Sequence, residues 1–204
     1  MHNDHKVFSP KNMSKLEHPD RYKEIPPLQV LEQLELEEGH IFGDFGCGIG
    51  FFSIPAAQLV SPAGHVYASD ISDEMLQGLL DRLPKENTEQ VTTCRAGMLG
   101  KDGQNSEITS LGIAKNILDR AMISMVLHEV DDPVDFLKQA AMSIKVNGKL
   151  AVIEWIKAEM PQGPKMDIRI SEKELDSMLE QAGFMTERFV QLTQRFYLTI
   201  ASKK

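Results

Sequence analysis

Strand-like and helix-like segments alternate five times between Leu28 and Ile156, and this alternation restricts the possible folds more than any other feature. It is typical of a parallel sheet with helices packed on both faces. Two strand-like segments, Thr186–Leu192 and Arg195–Ala201, then follow one another without a helix between them. We therefore predict an α/β fold with a seven-stranded, mostly parallel sheet, to which this C-terminal hairpin contributes one antiparallel strand.

Several predicted helices begin or end at residues with known capping behaviour. The predicted starts share a side chain that accepts a hydrogen bond from the first turn, and they are Ser72, Asp132-Pro133 and Ser171-x-x-Glu174. Pro84 is expected to end the helix that follows Ser72, because proline disrupts a helix interior. Asn147-Gly148 is expected to end the helix that follows Asp132. Residues 97–118 are interpreted as a loop, or as a loop and one short helix over 108–118.

The first 27 residues differ in character from the rest of the chain. They are polar and interrupted by prolines, and only one short helix is expected, near Asp20–Lys23. A chain of 204 residues is long enough to form one domain with a full core. We predict an N-terminal arm or lid over 1–27 and a single domain over 28–204.

Composition excludes several classes of function. The net charge is −8 and no basic patch is visible, so we expect no nucleic-acid partner. No apolar run approaches the roughly 18 residues of a membrane span, and the N-terminus lacks the apolar region of a secretory signal. Cys47 and Cys94 are the only cysteines and lack metal-ligand spacing. They indicate a reducing, cytoplasmic location without disulfides or a metal site.

The segment Asp44-x-Gly46-x-Gly48-x-Gly50 directly follows the first predicted strand of the alternating series. Ligands of such sheets bind at the carboxyl ends of the strands, so this loop is the candidate site. A dinucleotide fingerprint would need a third glycine where Phe51 stands, and Asp44 would repel a pyrophosphate. The loop instead resembles the first motif of class I S-adenosylmethionine-dependent methyltransferases, in which the acidic residue binds the ammonium group of the ligand.

This resemblance extends from about Lys6 to Lys203 and implies a Rossmann-like form of the predicted sheet. The segment "ISMVLHEVDDPVDFLKQ", residues 123–139, is similar to the region after the fourth strand in the branch that includes ubiquinone/menaquinone methyltransferases, known as methyltransferase type 11. The segment "GKLAVIEW", residues 148–155, is similar to the fifth strand of that branch. The arm "HKVFSPKNMSKLEHPDRYKEIPP" is similar to the lid of small, single-domain members.

The resemblance also implies which residues bind S-adenosylmethionine, and these are Asp44, Gly46, Cys47, Gly48, Gly50, Asp70, Ile71, Gly97, Met98 and Met125. Asp70 would accept both ribose hydroxyls, and Ile71 would flank the adenine. Gly97 and Met98 would hold the adenine edge, although an acid that is frequent there in the family is missing. Tyr22 in the arm would pack over the cofactor or lie on the surface.

The function that the resemblance implies is in-line methyl transfer to a small molecule, because only the arm, residues 97–118 and residues 157–170 remain to build an acceptor pocket. His128 is the nearest candidate base if the acceptor is an amine or hydroxyl, whereas a thiolate or carbanion would need none. A structural role for His128 is the alternative. Two other functions stay open: a nicotinamide-dependent oxidoreductase, and a non-catalytic module that binds S-adenosylmethionine. The sequence does not indicate an oligomeric state.

Overall fold

The computed structural model describes residues 19–86, 88–97 and 109–204. Their helices are α1 (Pro19–Glu24), α2 (Pro27–Gln33), α3 (Ser53–Val60), α4 (Asp73–Leu80), α5 (Leu83–Glu86), α6 (Pro133–Ser143) and α7 (Glu172–Gln181). Their strands are β1 (Ile41–Phe45), β2 (His65–Asp70), β3 (Val91–Arg95), β4 (Leu118–Ser124), β5 (Ile144–Trp155), β6 (Phe184–Gln191) and β7 (Phe196–Lys203). Short 3₁₀ helices cover Leu127–Glu129 and Met166–Ile168.

The seven strands form one sheet in the order β3-β2-β1-β4-β5-β7-β6. All neighbouring strands pair in parallel except β7, which is antiparallel to both β5 and β6. The predicted fold class is therefore confirmed. The chain reverses its direction of travel across the sheet between β1 and β4, and the loops after these two strands meet at that switch point.

Alternation along β1 decides which of its side chains face which layer of helices. Phe42 packs in a buried cluster with residues of α2 and α3, whereas Phe45 packs in a second cluster with residues of α6 and α7. Because side chains of a strand alternate between faces, Asp44 lies on the same face as Phe42. This places the carboxylate of Asp44 against the N-terminal end of α3.

The predicted helix starts are confirmed. Ser72 accepts a hydrogen bond from the backbone N–H of Met75, and Asp132 accepts one from Asp135. Ser171 and Glu174 form both hydrogen bonds of a capping box at the start of α7. Short polar side chains at these positions satisfy backbone donors that a helix leaves unpaired, which is why the local sequence alone was sufficient.

Two predicted helix ends were wrong. Helix α4 ends at Leu80, and Pro84 occupies the first turn of the separate helix α5, where its missing N–H breaks no hydrogen bond. Helix α6 ends at Ser143, and Asn147-Gly148 lies inside β5. Asn147 has a φ of +64°, and the pairing of β4 with β5 shifts register around it, so this pair bends a strand instead of ending a helix.

The short helix considered for 108–118 is absent from the described part of that segment, residues 109–117. Residues 98–108 of the predicted loop lie outside the described residues. Over the described ranges, no helix has the length and apolar character that a membrane crossing requires. Within those same ranges, His, Cys, Asp and Glu side chains form no group of three that could hold a metal ion.

Candidate functional site

The loop after β1 turns sharply across the end of β2. The backbone N–H groups of Gly46 and Cys47 both donate to the carbonyl of Ser69, at 2.7 and 3.0 Å. Gly46, Gly48 and Gly50 have φ angles of +75°, +54° and +88°. Glycine adopts these angles at less steric cost than any other residue, so the backbone path itself favours the alternate glycines.

Packing imposes a second requirement at two of these glycines. A Cβ atom at Gly46 would overlap Val126 from the loop after β4, and one at Gly50 would overlap Leu79 of α4. The sequence predicts that a ligand approaches the backbone closely at these glycines. At Gly46 and Gly50 the protein itself fills the space beside the backbone, and the loops after β1 and β4 are therefore in direct contact.

We expect Gly50→Ala to lower the free energy of unfolding more than Gly97→Ala. Both residues have a positive φ, which costs an alanine about 1–2 kcal/mol, but an added Cβ at Gly97 meets no atom of the described residues within 4 Å. Overlap with Leu79 should add about 1–3 kcal/mol at Gly50. Urea unfolding of both variants measures the difference, and equal losses would show that Leu79 moves away freely.

Asp44 is a buried acid at the end of β1, with only 2% of its surface exposed. Its Oδ2 accepts a hydrogen bond of 2.6 Å from the hydroxyl of Ser53 in α3. Burial raises the pKa of Asp44 to about 6, helped by the charge of Asp70 and opposed by Ser53 and Arg21. A carboxylate held in this way gains from a cationic partner, such as a ligand ammonium group.

Asp70 is the last residue of β2, and its carboxylate connects this strand to the glycine loop. Its Oδ2 accepts from the N–H of Gly48 at 2.9 Å, and its Oδ1 accepts from the N–H of Ser72 at 2.8 Å. Each carboxylate oxygen has a further lone pair that can accept from a ligand hydroxyl. The neighbouring Ile71 is 55% exposed, which leaves an apolar side chain free to flank an aromatic ring.

The segment after β3 was predicted to hold the adenine edge. Gly97 has a φ of +79°, and its N–H donates to the carbonyl of Ser110 at 2.7 Å. Met98 lies outside the described residues. The thiol of Cys47 is buried and burial raises its pKa well above the ordinary value, which fits a small residue that fills the loop and not a reactive thiolate.

The loop after β4 contains Met125 and His128. Met125 has a φ of +62°, and its N–H donates to Ile153 of β5. The His128 side chain is only 5% exposed, and its Nδ1 lies 2.7 Å from Oε2 of Glu154. Its Nε2 lies 3.7 Å from Oε1 of Glu129. Burial alone would lower the pKa of His128, but the hydrogen bond and charge of Glu154, with Glu129, raise it overall.

Glu154 is the residue of this site that the sequence interpretation missed. It is fully buried in β5, and besides the imidazole it accepts from the backbone N–H of His128 at 3.4 Å. The signal was an acid inside the apolar run "LAVIEW", since a buried charge requires a partner. Its contacts hold His128 in place, which favours the structural role for this histidine over that of an exposed base.

The loop after β5 forms a cavity of about 520 Å³ that Met160, Pro164, Met166 and Arg169 help to line. Arg169 is 3% exposed and donates to the backbone carbonyls of Ala158, Gln162 and Pro164, among others. One guanidinium thus organises the loop from inside. The cavity therefore has a defined wall at the edge of the sheet where β5 ends.

A family model described as a methyltransferase domain matches residues 43–152, which is more than half of the chain. The chain belongs to the methyltransferase domain family. Its glycine loop, Asp70 and the loop after β4 all lie within the matched residues. The match decides against the nicotinamide-dependent oxidoreductase and confirms the class I methyltransferase interpretation, with S-adenosylmethionine as the cofactor of the fold.

Curated relatives and solved structures of methyltransferases are similar to this domain. Ubiquinone/menaquinone biosynthesis C-methyltransferase UbiE of Pasteurella multocida is 30% identical over 60% of this chain and 42% of its own length. Demethylmenaquinone methyltransferase of Anoxybacillus flavithermus is 25% identical over 61% of this chain and 48% of its own length. The chain thus spans less than half the length of both relatives.

A crystal structure of a SAM-dependent methyltransferase from Aquifex aeolicus superimposes with a TM-score of 0.84. It is 28% identical in sequence, and the alignment covers 96% of this chain and 98% of that one. The superposition leaves few residues of either chain unmatched. This methyltransferase domain therefore has a structural counterpart of nearly the same size.

Proposed function

We propose that the protein transfers a methyl group from S-adenosylmethionine to a small-molecule acceptor by in-line displacement. The observation that carries the proposal is the pairing of a buried acid, Asp44, with the Asp70–Gly48 hydrogen bond at the switch point of a methyltransferase-family sheet. The two acids are separated by the glycine turn, so they can meet opposite ends of one extended ligand.

The residues at this site fit the chemistry of S-adenosylmethionine. Asp44 offers a carboxylate to the ammonium of the amino-acid tail, Asp70 offers its oxygens to the ribose hydroxyls, and Ile71 offers an apolar side chain to the adenine. Gly97, Met98 and Met125 complete the proposed set, with Gly46, Cys47, Gly48 and Gly50 forming the turn. When bound, the cofactor supplies a methyl group already activated by the sulfonium, so the protein mainly aligns the reactants and excludes water.

We propose that residues 1–27 act as a lid on the domain formed by 28–204. The described end of this arm supports the assignment, since Ile25 is 1% exposed and packs in the same buried cluster as Phe51. Tyr22 lies with its ring centroid 4.8 Å from that of Phe51 and remains 39% exposed. The arm therefore contacts the residue directly after the glycine loop, where it can shield the site from water.

We propose a small acceptor that enters beside the loop after β5. The cavity there has a volume suited to a small molecule. Its wall combines the apolar side chains of Met160, Pro164 and Met166 with the charged ones of Glu159, Lys165 and Arg169. The similarity to demethylmenaquinone methyltransferase makes a quinone-like ring one candidate. We also propose a location in the cytoplasm, which the free thiols of Cys47 and Cys94 support. The negative net charge supports the absence of a nucleic-acid partner.

The test is turnover with methyl-labelled S-adenosylmethionine and a panel of phenols, quinols, thiols and amines. We expect S-adenosylhomocysteine to form together with labelled acceptor for at least one class, and to form much more slowly with the Asp70→Ala variant at the same subsaturating cofactor concentration. Binding of S-adenosylmethionine without labelling of any acceptor class would instead support the non-catalytic module.

A further inference from the structure

Helix α1 of the arm is held against the glycine loop by contacts on two sides. The ring of Tyr22 packs on Phe51, and Ile25 is buried in the same cluster as Phe51. Glu24 forms an ion pair with Arg195, the residue directly before β7. These contacts fix the position of the helix relative to the end of β1, so the remaining side chains of α1 have defined directions.

Arg21 lies on the side of α1 that faces the glycine loop. Its guanidinium carbon is 4.0 Å from the centroid of the Phe51 ring, and Phe51 directly follows Gly50. Burial lowers the pKa of Arg21 to about 10, while the charge of Asp44 acts in the opposite direction. The guanidinium thus remains charged at neutral pH and feels the carboxylate of Asp44, which lies at the other side of the same loop.

Arg21 and Asp44 together form a charge pattern that Asp44 alone does not provide. Asp44 and Asp70 attract an ammonium group, but both repel a carboxylate. An amino-acid tail carries both groups on one carbon atom, so the acids alone would recognise only half of it. A guanidinium beside them supplies planar donors that match a carboxylate.

We propose that Arg21 binds the α-carboxylate of the cofactor's amino-acid tail while Asp44 binds its ammonium group. This inference rests on the proposed function, because it names a further residue of the same site. The arm then does more than cover the cofactor: it contributes one of the groups that recognise it. Phe51, which stands where a dinucleotide fingerprint has glycine, is the platform that holds the guanidinium in place.

The experiment compares two ligands that differ only in this carboxylate, S-adenosylmethionine and decarboxylated S-adenosylmethionine. Titration calorimetry measures both with the wild-type protein, with Arg21→Met, and with Lys23→Met as the matched control. Methionine keeps an unbranched side chain over Phe51 but has no charge. Lys23 is on the same helix, and its side chain is 77% exposed.

We expect Arg21→Met to bind S-adenosylmethionine about ten- to a hundredfold more weakly, as for loss of a charge-assisted hydrogen-bonded pair. The affinity for the decarboxylated ligand should stay within about twofold of wild type, and Lys23→Met should match wild type for both. Arg21→Lys should fall between, because it keeps the charge but loses the planar fork.

An equal loss of affinity for the two ligands, or no loss for either, would overturn the assignment of Arg21. That result is distinct from failure of the proposed function, in which wild-type protein would bind neither ligand. The comparison is made within each variant, so a general loosening of the arm lowers both affinities and counts against the inference.

Discussion

The Asp70→Ala variant is expected to bind S-adenosylmethionine about ten- to several-hundredfold more weakly than the wild-type protein. The carboxylate is proposed to accept two ribose hydroxyls through charge-assisted hydrogen bonds, each worth about 1.5–3 kcal/mol, and water replaces part of that loss. The variant also frees the N–H of Gly48, which Asp70 holds at 2.9 Å. Titration calorimetry with S-adenosylmethionine measures the effect.

Two comparisons separate binding from structure at Asp70. Asp70→Asn keeps an oxygen acceptor and should lose less affinity, and Asp81→Ala, at an exposed acid just after α4, should lose none. If Asp70→Ala unfolds at a lower temperature yet binds the cofactor as tightly as wild type, then Asp70 serves only to join the loop to Ser72.

The His128→Ala variant is expected to lose about 3–5 kcal/mol of unfolding free energy, because it leaves the buried carboxylate of Glu154 without its charged partner. The double variant His128→Ala with Glu154→Gln should recover much of this loss, since no charge then remains buried. His65→Ala, at a half-buried histidine bonded to Thr92, is the control and should lose only about 0.5–1.5 kcal/mol.

The unfolding free energy lost in His128→Ala should depend on pH, because the pKa of His128 is raised in the folded protein. The stabilisation by a histidine with a raised folded-state pKa is fully present below about pH 6.5, its unfolded value, and is lost as pH rises through the folded value. His128→Ala should therefore differ most from wild type below about pH 6.5, and the difference should shrink as pH rises through the folded-state pKa. Urea unfolding at several pH values tests this.

The same variant tests the alternative role of His128. If His128 is a general base that contacts the acceptor, its removal should lower turnover by about 10²–10⁴-fold with little change in stability. That outcome would mean that the imidazole acts as a base through Nε2 while Nδ1 stays on Glu154, and it would contradict the purely structural role favoured by its 5% exposure.

Local chemistry explains which parts of the fold could be predicted from the sequence. The capping box of Ser171 and Glu174 lies within one helical turn, so its residues are neighbours in the sequence as well as in space. Strand and helix alternation is likewise local, and the switch point follows from general rules of parallel sheets. The position of Asp44 and the glycines at that point was therefore accessible before the structure.

The features that could not be predicted from the sequence depend on contacts between distant segments. Glu154 meets His128 across 26 positions, and nothing in either segment alone identifies the partner. Arg21 reaches Phe51 only because α1 folds back on the loop after β1. Pro84 and Asn147 were misassigned for a related reason, since both residues are compatible with two local structures and packing selects one.

Every role proposed for Asp44, Asp70 and Arg21 requires a single binding site for the methyl donor at the glycine loop. Two parallel calorimetric titrations of the purified wild-type protein test this claim. One uses S-adenosylhomocysteine as the ligand and the other uses NAD⁺. We predict saturable binding of S-adenosylhomocysteine at one site per chain and no heat of binding with NAD⁺. Saturable binding of NAD⁺ without any binding of S-adenosylhomocysteine would contradict the account.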